Sequence, residues 1–150
     1  MIKTFRGLLA DGGQDRIRLS TKKGKVGYKI HKFLIFPELP GTVQQESTVW
    51  IWKVKQTSVP TGTATTDFSD GNLLAAAHYQ DSSSVDNPPG PLIVMFDQEI
   101  FNQDIYISHT DTTDAQKMNY YVELETIKMN DNQAAVSTLR DIRLNPQVGA

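Results

Sequence analysis

Two runs of alternating apolar and polar residues between Phe101 and Met129, separated by a polar break, constrain this chain more than any other stretch. In the first run Ile105 and Ile107 alternate with Tyr106 and Ser108. In the second, Tyr120, Val122, Leu124 and Thr126 alternate with Tyr121, Glu123, Glu125 and Ile127. A side-chain period of two belongs to a strand with one buried face, so the stretch predicts two strands joined as a hairpin. The break at 110–117 is too long for a two-residue turn and predicts a loop projecting into solvent.

The same period recurs along the chain. Residues 2–10 predict a first strand, closed by the Asp11-Gly12-Gly13-Gln14 turn. In 15–20, Ile17 and Leu19 oppose Arg16 and Arg18. Val26, Tyr28 and Ile30 then alternate with Gly27, Lys29 and His31, before the continuous apolar run Phe33-Leu34-Ile35-Phe36. That change of pattern near Lys32 predicts a bulge or a move into the interior. Pro37 to Gly41 breaks the chain. Residues 47–56 predict a strand with Trp50, Trp52 and Val54 on one face and Val49 and Ile51 on the other, Lys53 and Lys55 marking where the second face meets solvent. Residues 73–79, whose alanines would also suit a helix but which polar turns bound closely, and residues 92–96 predict further strands. Between these strands, 57–66 and 81–90 are rich in Thr, Ser, Gly and Pro and predict exposed loops. After Met129 the period lengthens: Asn130 or Asp131 caps a short helix carrying Ala135, Val136, Leu139, Ile142 and Arg143, and Pro146 stops it.

About seven to nine short strands with one terminal helix predict a single all-β domain over 1–150, an antiparallel β-sandwich of jelly-roll or Greek-key type. Its expected core is Ile17, Leu19, Tyr28, Ile30, Leu34, Phe36, Trp50, Trp52, Val54, Leu92, Val94, Ile105, Ile107, Val122 and Leu124.

Composition narrows function. The net charge is -2, where a nucleic-acid binder would be more basic, so no nucleic-acid partner is expected. The chain has no cysteine, which removes thiol catalysis, disulfides and cysteine-ligated metals. No run approaches the roughly 20 apolar residues of a membrane helix. Arg6 interrupts the short apolar N-terminus, which reads as a strand and not as a signal peptide, and assembly inside a cell is expected.

Candidate chemistry is sparse. His31, His78 and His109 lie in separate strands without metal-ligand spacing. Asp104, Asp111 and Asp114 offer oxygens to a calcium ion but match no calcium loop, and Asp97, Glu99 and Asp104 offer a carboxylate pair of the kind glycosidases use. No cofactor, metal or enzymatic activity is expected. Two binding surfaces stand out. Arg16, Arg18, Lys22, Lys23 and Lys25, continuing to Lys29 and Lys32, form a basic strip suited to an acidic partner. Trp50, Trp52, Tyr120 and Tyr121 could form a stacking platform for a sugar.

Across Thr4-Phe5-Arg6-Gly7, Leu9-Ala10-Asp11-Gly12, Gln14 to Thr21, Gly27-Tyr28-Lys29-Ile30, Phe101 to Tyr106 and Asn119 to Glu125, the chain resembles small virion structural proteins of marine tailed bacteriophages. The resemblance supplies no catalytic residue. It implies a capsid- or tail-associated component, assembled in the host cytoplasm and resident in the virion, whose partners are major capsid or tail proteins and further copies of itself. Contacts are expected from the loops 57–66, 81–90 and 110–117 and from the N-terminal strand. A carbohydrate-binding sandwich is the alternative.

Overall fold

The computed structural model describes residues 1–21, 24–40, 44–81, 92–113 and 115–144. In chain order these form β1 (Ile2–Leu9), β2 (Gln14–Ile17), β3 (Val26–Pro37), β4 (Gln45–Trp52), β5 (Leu73–Asp81), β6 (Ile93–Phe96), β7 (Ile105–Asp111), β8 (Met118–Lys128) and α1 (Asp131–Leu144). The strands make two antiparallel sheets, one ordered β1-β8-β3 and the other β2-β7-β4-β5-β6. The expected all-β sandwich with a short C-terminal helix is what forms. Pairing is nested, β1 with β8, β2 with β7 and β4 with β5, which is the wrapping of a jelly roll. β6 departs from it by adding to the edge of β5.

The hairpin expected between 101 and 129 does not form. β7 is flanked by β2 and β4 in one sheet, and β8 by β1 and β3 in the other. With both edges of each strand taken, the chain passes from β7 in one layer to β8 in the other instead of reversing within one. Nor is this connection a free loop. The Asp111 carboxylate accepts N–H groups from Glu46 (3.1 Å), Thr113 (3.3 Å) and Gln116 (2.6 Å) and ties the crossing down.

Between the sheets lie Val49, Ile51, Ile105 and Ile107 from one layer and Phe33, Ile35, Val122 and Leu124 from the other. Tyr120 joins this core, its hydroxyl donating across the layers to Asp15 (2.8 Å). Its ring lies against Gly7, where a Cβ would fall within 2.9 Å of it. Several core assignments change. In β3 the register against β8 shifts between Ile30 and Lys32. This bulge inverts the alternation, so Phe33 and Ile35 point inward while Leu34 and Phe36 point out. In β4 the two apolar faces divide as expected, but Val49 and Ile51 take the core and the tryptophans the outer face. Leu92 is exposed, and Val54 is only half-buried. Lys53, expected in solvent, is buried and pairs with Glu99 (2.5 Å).

At the helix start, Asn130 Oδ1 accepts the Gln133 N–H (2.8 Å) and Gln133 Oε1 accepts the Asn130 N–H (3.1 Å), a reciprocal cap. The buried face is not the apolar one. Ala134 and Ser137 face the sandwich, and Val136 and Leu139 are exposed. The cause is Asn102, fully buried, whose amide donates to the Gly24 carbonyl (3.1 Å) and to Thr138 (2.8 Å). A polar anchor therefore sets the helix rotation. The side chains of Ile142 and Arg143, Pro146, and 82–90 of the expected loop 81–90 lie outside the described residues, and Asp81 ends β5.

Candidate functional site

Because alternate side chains of a strand face opposite ways, each sheet has an outer face, and the two differ. On the five-stranded sheet the segment after β4 folds back over the outer face. Gln14 and Gln56 exchange two hydrogen bonds (2.9 and 3.2 Å), Thr110 donates to the Pro60 carbonyl (2.7 Å), and the Trp50 indole donates to Thr66 (2.8 Å). The Trp52 indole donates to Ser108 (2.8 Å), and the two indoles lie 6.3 Å apart. Trp50 is only 2% exposed. Both rings are thus committed to the fold. Tyr120 is in the core and Tyr121 is on the outside of the other sheet, so the four aromatics expected as a stacking platform do not come together.

On the three-stranded sheet no described residue covers the outer face. Its cross-strand rows are Leu8, Asn119 and Phe36, then Arg6, Tyr121 and Leu34, then Thr4, Glu123 and Lys32. Leu8 is 45% exposed, Leu34 39%, Phe36 62% and neighbouring Leu92 45%, and together with Arg6 and Tyr121 they border an open groove of about 810 Å³. Polarity is graded along it. The Tyr121 hydroxyl donates to Glu123 (2.7 Å), a bond that holds the phenol above the usual tyrosine range, and further on Lys29 pairs with Glu125 (3.4 Å). Apolar groups crowd one end and ion pairs the other.

The basic strip is divided. Arg16 and Arg18 lie at the β2 edge of one sheet and Lys29 and Lys32 at the β3 edge of the other. Arg16 is already engaged, donating from Nε (2.8 Å) and Nη2 to Asp104. The other oxygen of that carboxylate accepts the Leu19 and Ser20 N–H groups (2.7 and 2.9 Å). Burial alone would raise the Asp104 pKa, but these donors outweigh it and hold the carboxyl below its usual range. Arg18 and Lys25 are exposed; Lys22 and Lys23 lie outside the described residues.

Asp104 and Asp111 spend their oxygens on N–H donors, and Asp114 is outside the described residues. Among the described residues no group of three His, Asp or Glu side chains is placed to hold a metal. Asp97 accepts the Glu99 N–H (3.2 Å), and Glu99 answers Lys53. One pairing that sequence reasoning missed has the form of a nucleophile and base. His109 Nε2 is 2.9 Å from Ser47 Oγ, and its Nδ1 is 3.1 Å from the Ala10 carbonyl. A carbonyl only accepts, so Nδ1 carries the proton and Nε2 accepts the serine hydroxyl. Both side chains are fully buried, and Gln45 donates to the same serine (2.9 Å). A substrate has no way to reach the serine. Burial pushes the His109 pKa down, keeping the ring neutral inside a closed network.

The bare strip was also missed, although its signal is in the sequence: Phe33-Leu34-Ile35-Phe36 is apolar on both faces of a strand at the edge of its sheet. In comparisons with known proteins, the chain matches no family model, no curated protein and no solved structure.

Proposed function

We propose that the chain is a structural component of a bacteriophage particle, associated with capsid or tail, and that it acts by protein–protein assembly. The observation that carries this is the apolar strip of Leu8, Leu34 and Phe36 on the three-stranded sheet, with Leu92 beside it, which no described residue covers. Contiguous exposed apolar surface of this kind marks a site of contact with another macromolecule. Jelly rolls serve viral coats and lectins alike, so the fold does not choose between assembly and sugar binding. The side chains favour assembly: the tryptophans a sugar would stack on are hydrogen-bonded within the fold, while the aliphatics a protein partner would cover are open. The resemblance to small virion proteins points the same way. Mass spectrometry of purified particles tests it. The chain should be present at a fixed copy number, and its absence from particles while abundant in infected cells would overturn the proposal.

A further inference from the structure

Four strands end the two sheets, and three of them are protected. β2 and β6 are four residues long. β3 carries the bulge, a bridge from Tyr28 to Phe101, and Pro37 at its end. Short strands, bulges and prolines are the backbone devices that keep sheet edges from pairing; charged side chains are another, and of these β1 carries Lys3 and Arg6. β1 has eight residues, no proline and no bulge, and among the described residues nothing pairs with its far side. The Met1 carbonyl accepts the Thr126 N–H (2.9 Å), which sets the parity of the ladder. Lys3, Phe5, Gly7 and Leu9 turn their amides toward β8, and Ile2, Thr4, Arg6 and Leu8 turn theirs away.

We infer that this edge pairs with the same strand of a second copy, antiparallel about a two-fold axis through Phe5, joining two three-stranded sheets into one. The occupant follows from the strand's own sequence. Two-fold pairing that uses the outward amides must match even-numbered residues with even. An axis at Arg6 sets two guanidinium groups opposite each other, a destabilising like-charge pair. An axis at Thr4 sets Ile2 against Arg6 and leaves Leu8 unmatched. An axis at Phe5 sets Ile2 against Leu8 and Thr4 against Arg6 on the outer face, so apolar meets apolar and no cations face each other. On the inner face it sets Phe5 against Phe5 and Lys3 against Gly7. The lysine then meets no opposing side chain and keeps its place 5.9 Å from the Tyr28 ring. Such an interface is self-complementary, as a two-fold contact must be, and it makes the apolar strips of the two copies continuous through Leu8 and Ile2.

This inference deepens the assembly reading and rests on it for its purpose, but it is tested on the purified chain. Sedimentation velocity should show a dimer. Arg6→Pro removes an outward N–H and leaves the β8 ladder intact, so the variant should sediment as a monomer with an unchanged circular dichroism spectrum, and its melting temperature should lose the concentration dependence that dimerisation gives the wild type. Because the chain has no cysteine, single-cysteine variants report the axis: oxidised Phe5→Cys should run as a covalent dimer, and Thr4→Cys and Arg6→Cys should not. A monomeric wild type, a dimeric Arg6→Pro, or cross-linking through Thr4→Cys or Arg6→Cys would overturn the inference. Particles that contain a chain monomeric in solution would sink this pairing and spare the assembly reading. A dimer never found in particles would do the reverse.

Discussion

The two outer faces of the sandwich are built from similar material and treated in opposite ways. Each carries large apolar side chains: Trp50 and Trp52 on the five-stranded sheet, Leu8, Leu34 and Phe36 on the three-stranded one. Over the first, the chain lays its own segment 53–72, fastened at Gln56, Pro60 and Thr66. Over the second, the described residues lay nothing. A side chain covered by its own fold contributes to stability. One left in water contributes only when a partner arrives. The interior and the covered face should therefore hold the fold, and the bare face should hold its partners.

The largest test of that division is a pair of phenylalanines three residues apart on β3. Phe33, 1% exposed in the core, should lose about 3 to 5 kcal/mol on change to alanine, measured by denaturant unfolding. Phe36, 62% exposed, should lose less than about 0.5 kcal/mol on the same change. Equal losses would mean that the bulge at His31 is misplaced and the faces of β3 reversed.

Next in size is the buried network that closes one end of the interior. His109→Ala should cost about 1 to 3 kcal/mol, because it strands the Ser47 hydroxyl and the Ala10 carbonyl. Its pH dependence has a definite sign. Burial sets the folded-state pKa of His109 below the ordinary 6.5, so below that pH the unfolded chain binds a proton the folded chain refuses. This contribution to stability is complete above about pH 6.5 and falls as the pH drops toward the folded-state pKa. Unfolding curves across that window should show the decline in the wild type and a flatter profile in His109→Ala.

How much of this was legible beforehand depends on which residues decided each feature. One-sided strands such as that of Ile17 and Leu19 declared their faces, because charged residues alternated with apolar ones. β4 did not, since Val49 and Ile51 and the tryptophans are all apolar, and only the partner sheet decides which set becomes core. The pattern change near Lys32 announced a bulge, but its one-residue consequence for Leu34 and Phe36 required the register against β8. The hairpin expectation failed because alternation identifies strands without naming their neighbours. The helix cap at Asn130 was legible from residue type. Its rotation was not, because a single buried amide, Asn102, outweighed the exposed Val136 and Leu139.

A smaller effect is expected on the covered face. Trp50→Phe replaces the indole by a smaller ring and removes the bond to Thr66, so it should cost at least about 1 kcal/mol, and protease cleavage within 57–66 should become faster. Unchanged cleavage would show that the segment is held by Gln56 and Pro60 alone. Smallest of all should be the influence of salt on attachment through the bare face. Apolar contacts outlast the shortening of the screening length from about 10 Å at 0.1 M to about 3 Å at 1 M, whereas docking through Arg16, Arg18 and Lys25 would weaken steeply over that range.

The central claim, that the bare face of the three-stranded sheet is where this chain meets its partners, is tested most directly by a Leu34→Glu, Phe36→Glu variant co-sedimented with phage particles. Both side chains point to solvent, so the variant should melt within a few degrees of the wild type. It should also fail to sediment with particles that carry the wild type down. A folded variant that attaches as well as the wild type would contradict the account and move the contact elsewhere on the molecule.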